Sequence, residues 1–411
     1  MTFRIAIAGA GVAGAIVAGA FRNSSDIEVI CLEKMGPKDH EHAGNGLNVG
    51  PNALKALGEV SGDLVSALEK NSLPWERWLA CLADGSLLYH IPLEAVAERP
   101  GIRIRWSELY RLLRADAIEN TQFHVQCVGL DFQADGKVSL RLTNSGHDSG
   151  SLLQDLDLVI AADGRYSKLR STLCGDPQVT HLGVSNFRAL VADEGELAID
   201  DMEQWFNGPR RLICFRLVDG LLYVSGNLPI VPGADVPVQY KDPDFVREAY
   251  VENQMSPDSR LVALSTIFSA QANSFHWARA QEIETQFFDS SGRVLFVGDA
   301  AHAMCPTLGQ GATQAIEDAA ALVVLLREAI KMDCLHPTWI CQAFAQMRGE
   351  RIEFVKRFSW EASDALLLGA DPVEANQKKA GKEYQDKLQQ LYQSVPVGAE
   401  IARNALLACL V

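Results

Sequence analysis

Three acidic residues of this chain stand just after short apolar runs. Glu33 closes the run Ile27–Leu32, Asp163 follows Leu156–Ala161, and Asp299 follows Val294–Val297 by way of Gly298. Short, mostly apolar runs suit strands buried on both faces, as in a parallel sheet. Carboxylates at the C-terminal ends of such strands share one edge, and that edge is where open α/β sheets place their ligand crevice. A carboxylate there can accept hydrogen bonds from a ribose diol, so the chemistry on offer is the holding of a nucleotide-like group.

The elements around these acids say which group. Phe3–Ala8 reads as another doubly buried strand and runs directly into Gly9-Ala10-Gly11-Val12-Ala13-Gly14, after which a small-residue helix continues to about Arg22. In such a turn the first glycine allows the tight bend, the second lets a pyrophosphate approach the backbone, and the third lets helix pack on strand. Glu33 comes nineteen residues after Gly14, at the distance expected of a ribose-binding acid, which fits the adenosine half of FAD or NAD. Val12, Ala13 and Lys34 flank these positions and join the candidate cofactor contacts. Downstream of Asp299, Pro306 stiffens a loop that delivers Gly309-Gln310-Gly311 to a helix whose Ala312, Ile316, Ala319, Val323 and Leu326 keep one face. That helix start offers free N–H groups and a positive dipole end to an anionic ligand.

A chain of 411 residues can bury more than one core, so at least two domains are expected. The net charge of −15 argues against nucleic acid or an anionic membrane as the main partner. Nine cysteines, scattered and never spaced Cys-x-x-Cys, fit a reduced cytoplasm and do not outline a metal site. Ile5–Phe21 carries no charge, yet its glycines and its strand-turn-helix pattern set it apart from a signal peptide or a membrane span.

Other segments supply further candidates. Gly44–Asn52 reads as a shaped glycine-rich loop in which Asn48 points either at a ligand or at backbone groups. Trp75 to Ile91 reads as a strand excursion into a second domain. Arg103, Arg105 and Arg111 lead into a helical stripe of Trp106, Leu109, Leu112 and Leu113, and they either pair with a cofactor or decorate a wet face. From His181 to Glu284 the runs become β-branched and aromatic between turn signals, as in an antiparallel sheet carrying Arg188, Arg211 and Tyr223. After Pro337 the pattern is mostly helical. The expected fold is α/β: a Rossmann-like FAD-binding domain with a parallel sheet, an antiparallel-sheet substrate domain, and C-terminal helices. The expected bounds are 1–74, 101–177 and 285–345 for the cofactor domain, 75–100 and 178–284 for the substrate domain, and 346–411 for the helical end.

Taken together, these motifs resemble the single-component FAD-dependent aromatic hydroxylases, the family of p-hydroxybenzoate, salicylate and 3-hydroxybenzoate hydroxylases and their hydroxypyridine-carboxylate relatives. The matching pieces are Gly9-x-Gly11-x-x-Gly14 with Glu33, Gly46–Asn52, Arg105 with Leu109, Asp163-Gly164-x-x-Ser167-x-x-Arg170, and Gly298-Asp299-Ala300-Ala301-His302 with Pro306 and Gly309-Gln310-Gly311. The resemblance implies that NADH or NADPH reduces FAD, that O2 adds to give a C4a-hydroperoxyflavin, and that one oxygen passes to an electron-rich ring. It implies roles for Gly9, Gly11, Gly14 and Glu33 at the adenosine diphosphate, Arg105 bracing the flavin, Asp163 near the pyrophosphate, and Asp299 at the ribityl chain. Gly309 to Ala312 would face the flavin N1–C2=O edge. The implied substrate is a phenolic or hydroxylated N-heteroaromatic acid, hydroxylated with or without loss of its carboxylate, and the implied assembly is a monomer or homodimer.

The departures from the family pattern concern the substrate. Relatives often carry a histidine after a Gly-Pro in a substrate-domain strand, whereas Gly208-Pro209-Arg210-Arg211 places Arg211 there. Some also have histidine where this chain has Asn48. An arginine stays protonated at neutral pH and cannot act as a base. Arg211 therefore either binds an anionic substrate or is a salt-bridged strand residue, and the base is water, His302 or an unnamed group. His302 also reads as a structural histidine. Arg188, Tyr223 and Asn48 complete the expected substrate contacts, and Arg211, Asn48, His302 and Pro306 are the candidate catalytic residues. Competing readings are a flavin reductase, a halogenase, a hydroxylase of a larger neutral ring or quinone precursor, and a non-catalytic dinucleotide sensor. Trp75-Glu76-Arg77-Trp78 does not match the Trp-x-Trp-x-Ile-Pro of halogenases.

Overall fold

The computed structural model describes residues 2–39, 41, 45–144, 147–193 and 195–410, without the side chains of 147–149. Gly44, part of the expected glycine loop, lies outside the described residues. A five-stranded parallel sheet runs in the order Val294–Phe296, Leu158–Ala161, Phe3–Ala8, Ile27–Glu33 and Thr121–Phe123. The strands preceding Asp299, Asp163 and Glu33 thus belong to one sheet and point the same way. Their apolar residues are buried because helices cover the sheet, among them Val12–Ala20 and the long helix Gln310–Lys331.

The second large sheet has seven strands, in the order Ala278–Ile283, Val179–Val191, Leu222–Pro229, Arg210–Arg216, Glu203–Asn207, Arg77–Leu82 and Leu87–Pro92. Two of its strands, Arg77–Leu82 and Leu87–Pro92, come from the earlier part of the chain. Glu203–Asn207 and Arg77–Leu82 pair in parallel, a departure from an all-antiparallel sheet that is open to strands joined through a long stretch of intervening chain. One face of this sheet is apolar. Phe187, Trp205, Leu212, Cys214, Leu222 and Val224 pack there with Tyr250, Leu261, Leu264 and Phe268 from two helices, Pro243–Val251 and Ser259–Ser269. The sequence reading missed both helices, although Asp242 and Asp258 cap them in the manner that marks a helix start.

The glycine-rich segment is not simply a loop. Gly46–Val49 is a strand, paired antiparallel with Gly101–Arg105, because Leu47 and Val49 suit the pleat and the neighbouring edge accepts them. A three-stranded antiparallel sheet over Val125–Phe132, Val138–Asn144 and His147–Leu156 was also not foreseen. The C-terminal end is helical: Pro337–Glu361, Pro372–Ala380, Lys382–Gln393 and Ala399–Cys409. Among the described residues, no helix is long and apolar enough to cross a membrane.

A buried ionic cluster joins these parts. Arg348 donates to Asp318 at 2.7 Å, to Glu317 at 2.8 Å and to Gln314 at 2.7 Å, and Arg351 pairs with Glu317 at 2.8 Å. Asn52 donates to Glu317 at 2.5 Å and to Gln310 at 3.0 Å. Asp318 accepts from the Gly298 amide at 2.8 Å and meets His302 Nε2 at 2.6 Å. Burial alone would raise both carboxyls. The arginines, with His302 for Asp318, outweigh it and bring Glu317 and Asp318 down to about 2.

Removing one partner of such a cluster strands a buried charge, so Arg348→Met should cost about 3–5 kcal/mol of stability in urea unfolding. The pH dependence follows from the lowered values. The stabilisation is complete above the unfolded carboxyl range near pH 4 and is lost as pH falls toward about 2. The acid unfolding midpoint of the variant should therefore lie at higher pH than that of the wild type.

Candidate active site

Between the two large sheets lies a cleft of about 400 Å³. On one side it meets Gly11, Val12 and Ala13 of the first turn, Gly164 and Arg165, then Gly298 and Asp299, and finally Pro306, Gly309, Gly311 and Ala312. On the other side it meets the inward face of the seven-stranded sheet. The register explains that face: Asn186 lies opposite Asn227 and Arg188 opposite Ser225, while Arg211, Ile213 and Phe215 lie opposite Asn227, Ser225 and Tyr223. Alternate residues of a strand share a face, so all of these line the cleft while the intervening residues enter the apolar core. Trp106 and Tyr110 stack at 5.3 Å on another wall.

The glycines behave as a dinucleotide turn requires. At Gly9, with φ +106°, a Cβ would lie 2.4 Å from the Ala162 carbonyl oxygen, and at Gly14 it would lie 2.0 Å from the Gly9 oxygen. Both positions are closed by packing. At Gly11 the nearest atom is 3.9 Å away, and the residue faces the cleft, so the backbone there is open to a pyrophosphate. The long helix starts at Gln310, with Gly309, Gly311 and Ala312 at the cleft wall, and its first N–H groups supply the positive end of a dipole. Asp299 is open to the cleft but closely surrounded by protein. That enclosure raises its pKa, while His302 and Arg165 oppose the rise. These residues fit FAD: an open backbone turn, a carboxylate at a strand end, a helix start, and aromatic walls.

Several expected contacts stand back from the cleft. Glu33 accepts from the Ala10 and Met35 amides, each at 2.9 Å, and meets Arg114 at 3.4 Å, so its carboxylate organises the turn it follows. Lys34 is exposed just beyond it. Asp163 accepts from the Lys168 amide at 3.0 Å and leaves Oδ1 buried without a partner, and burial raises its pKa. Arg105 donates to Asp219 at 2.7 Å, with its Nε buried and unpartnered. Gln310 is fully buried against Asn52 and Gln314. His302 is buried outside the cleft lining and held at Nε2 by Asp318, with Nδ1 buried and unpartnered. It has the partner of a structural histidine.

Arg211 is the opposite case. It is 5% exposed, its Nε donates to Asn227 at 3.0 Å and its Nη1 to Gln204 at 3.5 Å, and it has no ion-pair partner among the described residues. Burial lowers its pKa to about 10, against the pull of Tyr89, Tyr384 and Tyr223, so it remains a cation at neutral pH. Asn48 donates to Met202 Sδ at 3.0 Å and leaves Oδ1 buried and unpartnered at the cleft. Tyr223 stacks on Phe215 at 4.6 Å. Arg188 is exposed at the cleft wall. Sequence reasoning did not single out Arg114, whose Nε donates to the Ala10 carbonyl at 2.7 Å and whose guanidinium lies 4.8 Å from the Tyr110 ring centre. Nor did it find Asn186, Asn227 or Arg279. Alternation along a strand was the signal available for the two asparagines, Asn186 standing two residues before Arg188 and Asn227 four residues after Tyr223.

Comparison with known proteins agrees with this geometry. Residues 107–335 match the family model described as FAD binding domain. The chain belongs to the single-component FAD-dependent aromatic hydroxylases. It is an oxidoreductase that binds FAD. Among its relatives, 2-heptyl-3-hydroxy-4(1H)-quinolone synthase of Pseudomonas aeruginosa strain UCBPP-PA14 is 27% identical over 371 residues, covering 87% of each chain. FAD-dependent urate hydroxylase of Klebsiella pneumoniae is 28% identical over 333 residues, covering 78% of this chain and 81% of the relative. The fold is shared with Klebsiella pneumoniae HpxO complexed with FAD and uric acid, at a TM-score of 0.77 and 21% identity, covering 96% of this chain and 98% of the other.

The different roles of the glycines give a separable outcome. Gly11→Val should weaken FAD retention at least tenfold by gel filtration and absorbance while leaving the unfolding of the FAD-free chain within about 1 kcal/mol. Gly14→Ala should instead destabilise that chain by about 1–3 kcal/mol, the usual cost of overpacking.

Proposed function

We propose that this enzyme uses NADH or NADPH and O2 to hydroxylate an anionic aromatic ring, a phenolic or hydroxylated N-heteroaromatic acid, and that Arg211 holds its negative group. The observation that carries this reading is the buried guanidinium on the inward sheet face with no acidic partner among the described residues. A buried cation without a counter-ion is costly, and a carboxylate or ring oxide entering the cleft would supply one. Bound FAD supplies the chemistry of two-electron reduction and oxygen activation.

The protein's part is placement and exclusion of water. Residues 1–74, 101–177 and 285–345 act as the cofactor domain, with Gly11 at the pyrophosphate and Asp299 at the ribityl hydroxyls. The start of helix Gln310–Lys331 faces the flavin edge that gains negative charge on reduction, and its dipole favours that charge. Residues 75–100 and 178–284 close over the ring. Tyr223, Ile213 and Phe215 pack its faces, Arg188 borders the cleft, and Asn48 offers its free Oδ1 to a ring substituent.

The test is oxidation of NADH and NADPH by the purified holoenzyme against hydroxybenzoates, aminobenzoates and hydroxypyridine carboxylates, with product masses recorded. A stimulating compound should gain one oxygen, or gain one and lose CO2. Arg211→Gln should then raise its KM by about 10- to 100-fold, the loss of a hydrogen bond to a charged group of about 1.5–3 kcal/mol, with the flavin spectrum unchanged. If no acid stimulates oxidation, the anionic reading of the cleft is wrong and a neutral ring takes its place.

A further inference from the structure

Behind Arg211 is a second, much smaller cavity, with room for about one water. It shares Trp78, Arg211, Thr307 and Leu308 with the main cleft, so the two spaces meet beside Arg211. Its remaining polar lining is Gln204, Tyr89, Tyr384 and Lys379. The last two come from the C-terminal helices Pro372–Ala380 and Lys382–Gln393, in a region where the sequence offers only packing.

Lys379 is 5% exposed. Its Nζ donates to the Ala362 carbonyl at 2.9 Å and lies 3.3 Å from Asp364 Oδ1. An ammonium has three donors, so these two partners leave one direction toward the cavity. The titratable and charged groups around it are Asp364, Arg211, Tyr89 and Tyr384. Burial lowers the Lys379 pKa to about 8, with Arg211 acting in the same sense and Asp364 against it. Burial raises Tyr89 to about 12 and Tyr384 well above its ordinary value. Both tyrosines therefore stay neutral at working pH and can pass hydrogen bonds without holding charge.

We propose that Lys379 accepts, through one water in this cavity, the proton that the substrate's ring hydroxyl loses on meeting Arg211. The step rests on the reading of the cleft as a site for a hydroxylated aromatic ring. The hydroxyl O–H bond breaks as the water takes that proton, and the water passes one of its own to the neutral amine, where an N–H bond forms. The products are an aryl oxide facing Arg211 and an ammonium facing Asp364. Charge is conserved and no further reactant is needed. Relay over one water is within reach of general-base catalysis. Below pH 8 the amine is already protonated and cannot accept. Above it the amine is free.

Two measurements on the FAD-loaded enzyme test this. First, with lysine side chains labelled with nitrogen-15, the Nζ resonance that disappears in Lys379→Met should titrate at about pH 8. Second, NAD(P)H oxidation is followed from about pH 6 to 10 with 6-hydroxynicotinate, 3-hydroxybenzoate and urate as probes. The rate should climb up to about pH 8 and level off, and Lys379→Met should lose that limb and run at least tenfold slower at pH 8. Lys379→Arg, which keeps the cation beside Ala362 and Asp364 but cannot take a proton at these pH values, should show the same loss. An Nζ that titrates near the ordinary lysine value of about 10.4, or variants that keep the rising limb, overturn the relay and leave the reading of the cleft standing. If no probe perturbs the wild-type flavin absorbance although Nζ titrates at about pH 8, the reading of the cleft fails and the relay falls with it.

Discussion

The attraction between Arg348 and the adjacent acids Glu317 and Asp318 is the constraint on which the site's geometry depends. All three are fully buried, a state tolerable only because each charge is met by opposite charge and by well-formed hydrogen bonds. Through Asn52 the cluster holds the helix Pro51–Gly58, and through the Gly298 amide it fixes the turn that presents Asp299. Thr313, on the helix Gln310–Lys331 that carries Glu317 and Asp318, accepts from the Gly50 amide at 3.0 Å. Cofactor turn, helix start and substrate-side strand are thereby fastened to one another from behind. None of the fastening groups except Gly298 borders the cleft, so the site is rigid without spending its own side chains on rigidity.

Much of the cofactor side was legible in the sequence because it depends on local patterns. Gly9, Gly11 and Gly14 act through backbone conformation and close approach, and apolar runs ending in acids mark parallel strands with their C-terminal edge. What the sequence concealed is where a polar side chain turns once its strand is placed. Glu33, Asp163 and Arg105 sit where the motifs put them, and nothing in those motifs signals that Ala10, Lys168 and Asp219 are the protein groups they bond to. The choice between ligand and neighbour is made by tertiary geometry. The same limit hid Lys379: a lysine in a polar helical pattern gives no sign of burial until Ala362 and Asp364 are found beside it.

The overall charge also misleads about the site. The chain carries −15, but Arg165, Arg188, Arg211 and Arg279 all border the cleft. A cationic lining within an acidic molecule would favour an anionic ligand by local field, as the proposed function requires.

The inward sheet face has one more consequence. On three of its strands, Val179–Val191, Arg210–Arg216 and Leu222–Pro229, residues that line the cleft alternate with residues that hold the domain core, as Arg211, Ile213 and Phe215 alternate with Leu212 and Cys214. The strand is in effect two interleaved texts, one written for solvent-filled space and one for packing. Ring preference can be rewritten letter by letter in the first without disturbing a word of the second, and a family built on this sheet can diversify its chemistry faster than its architecture.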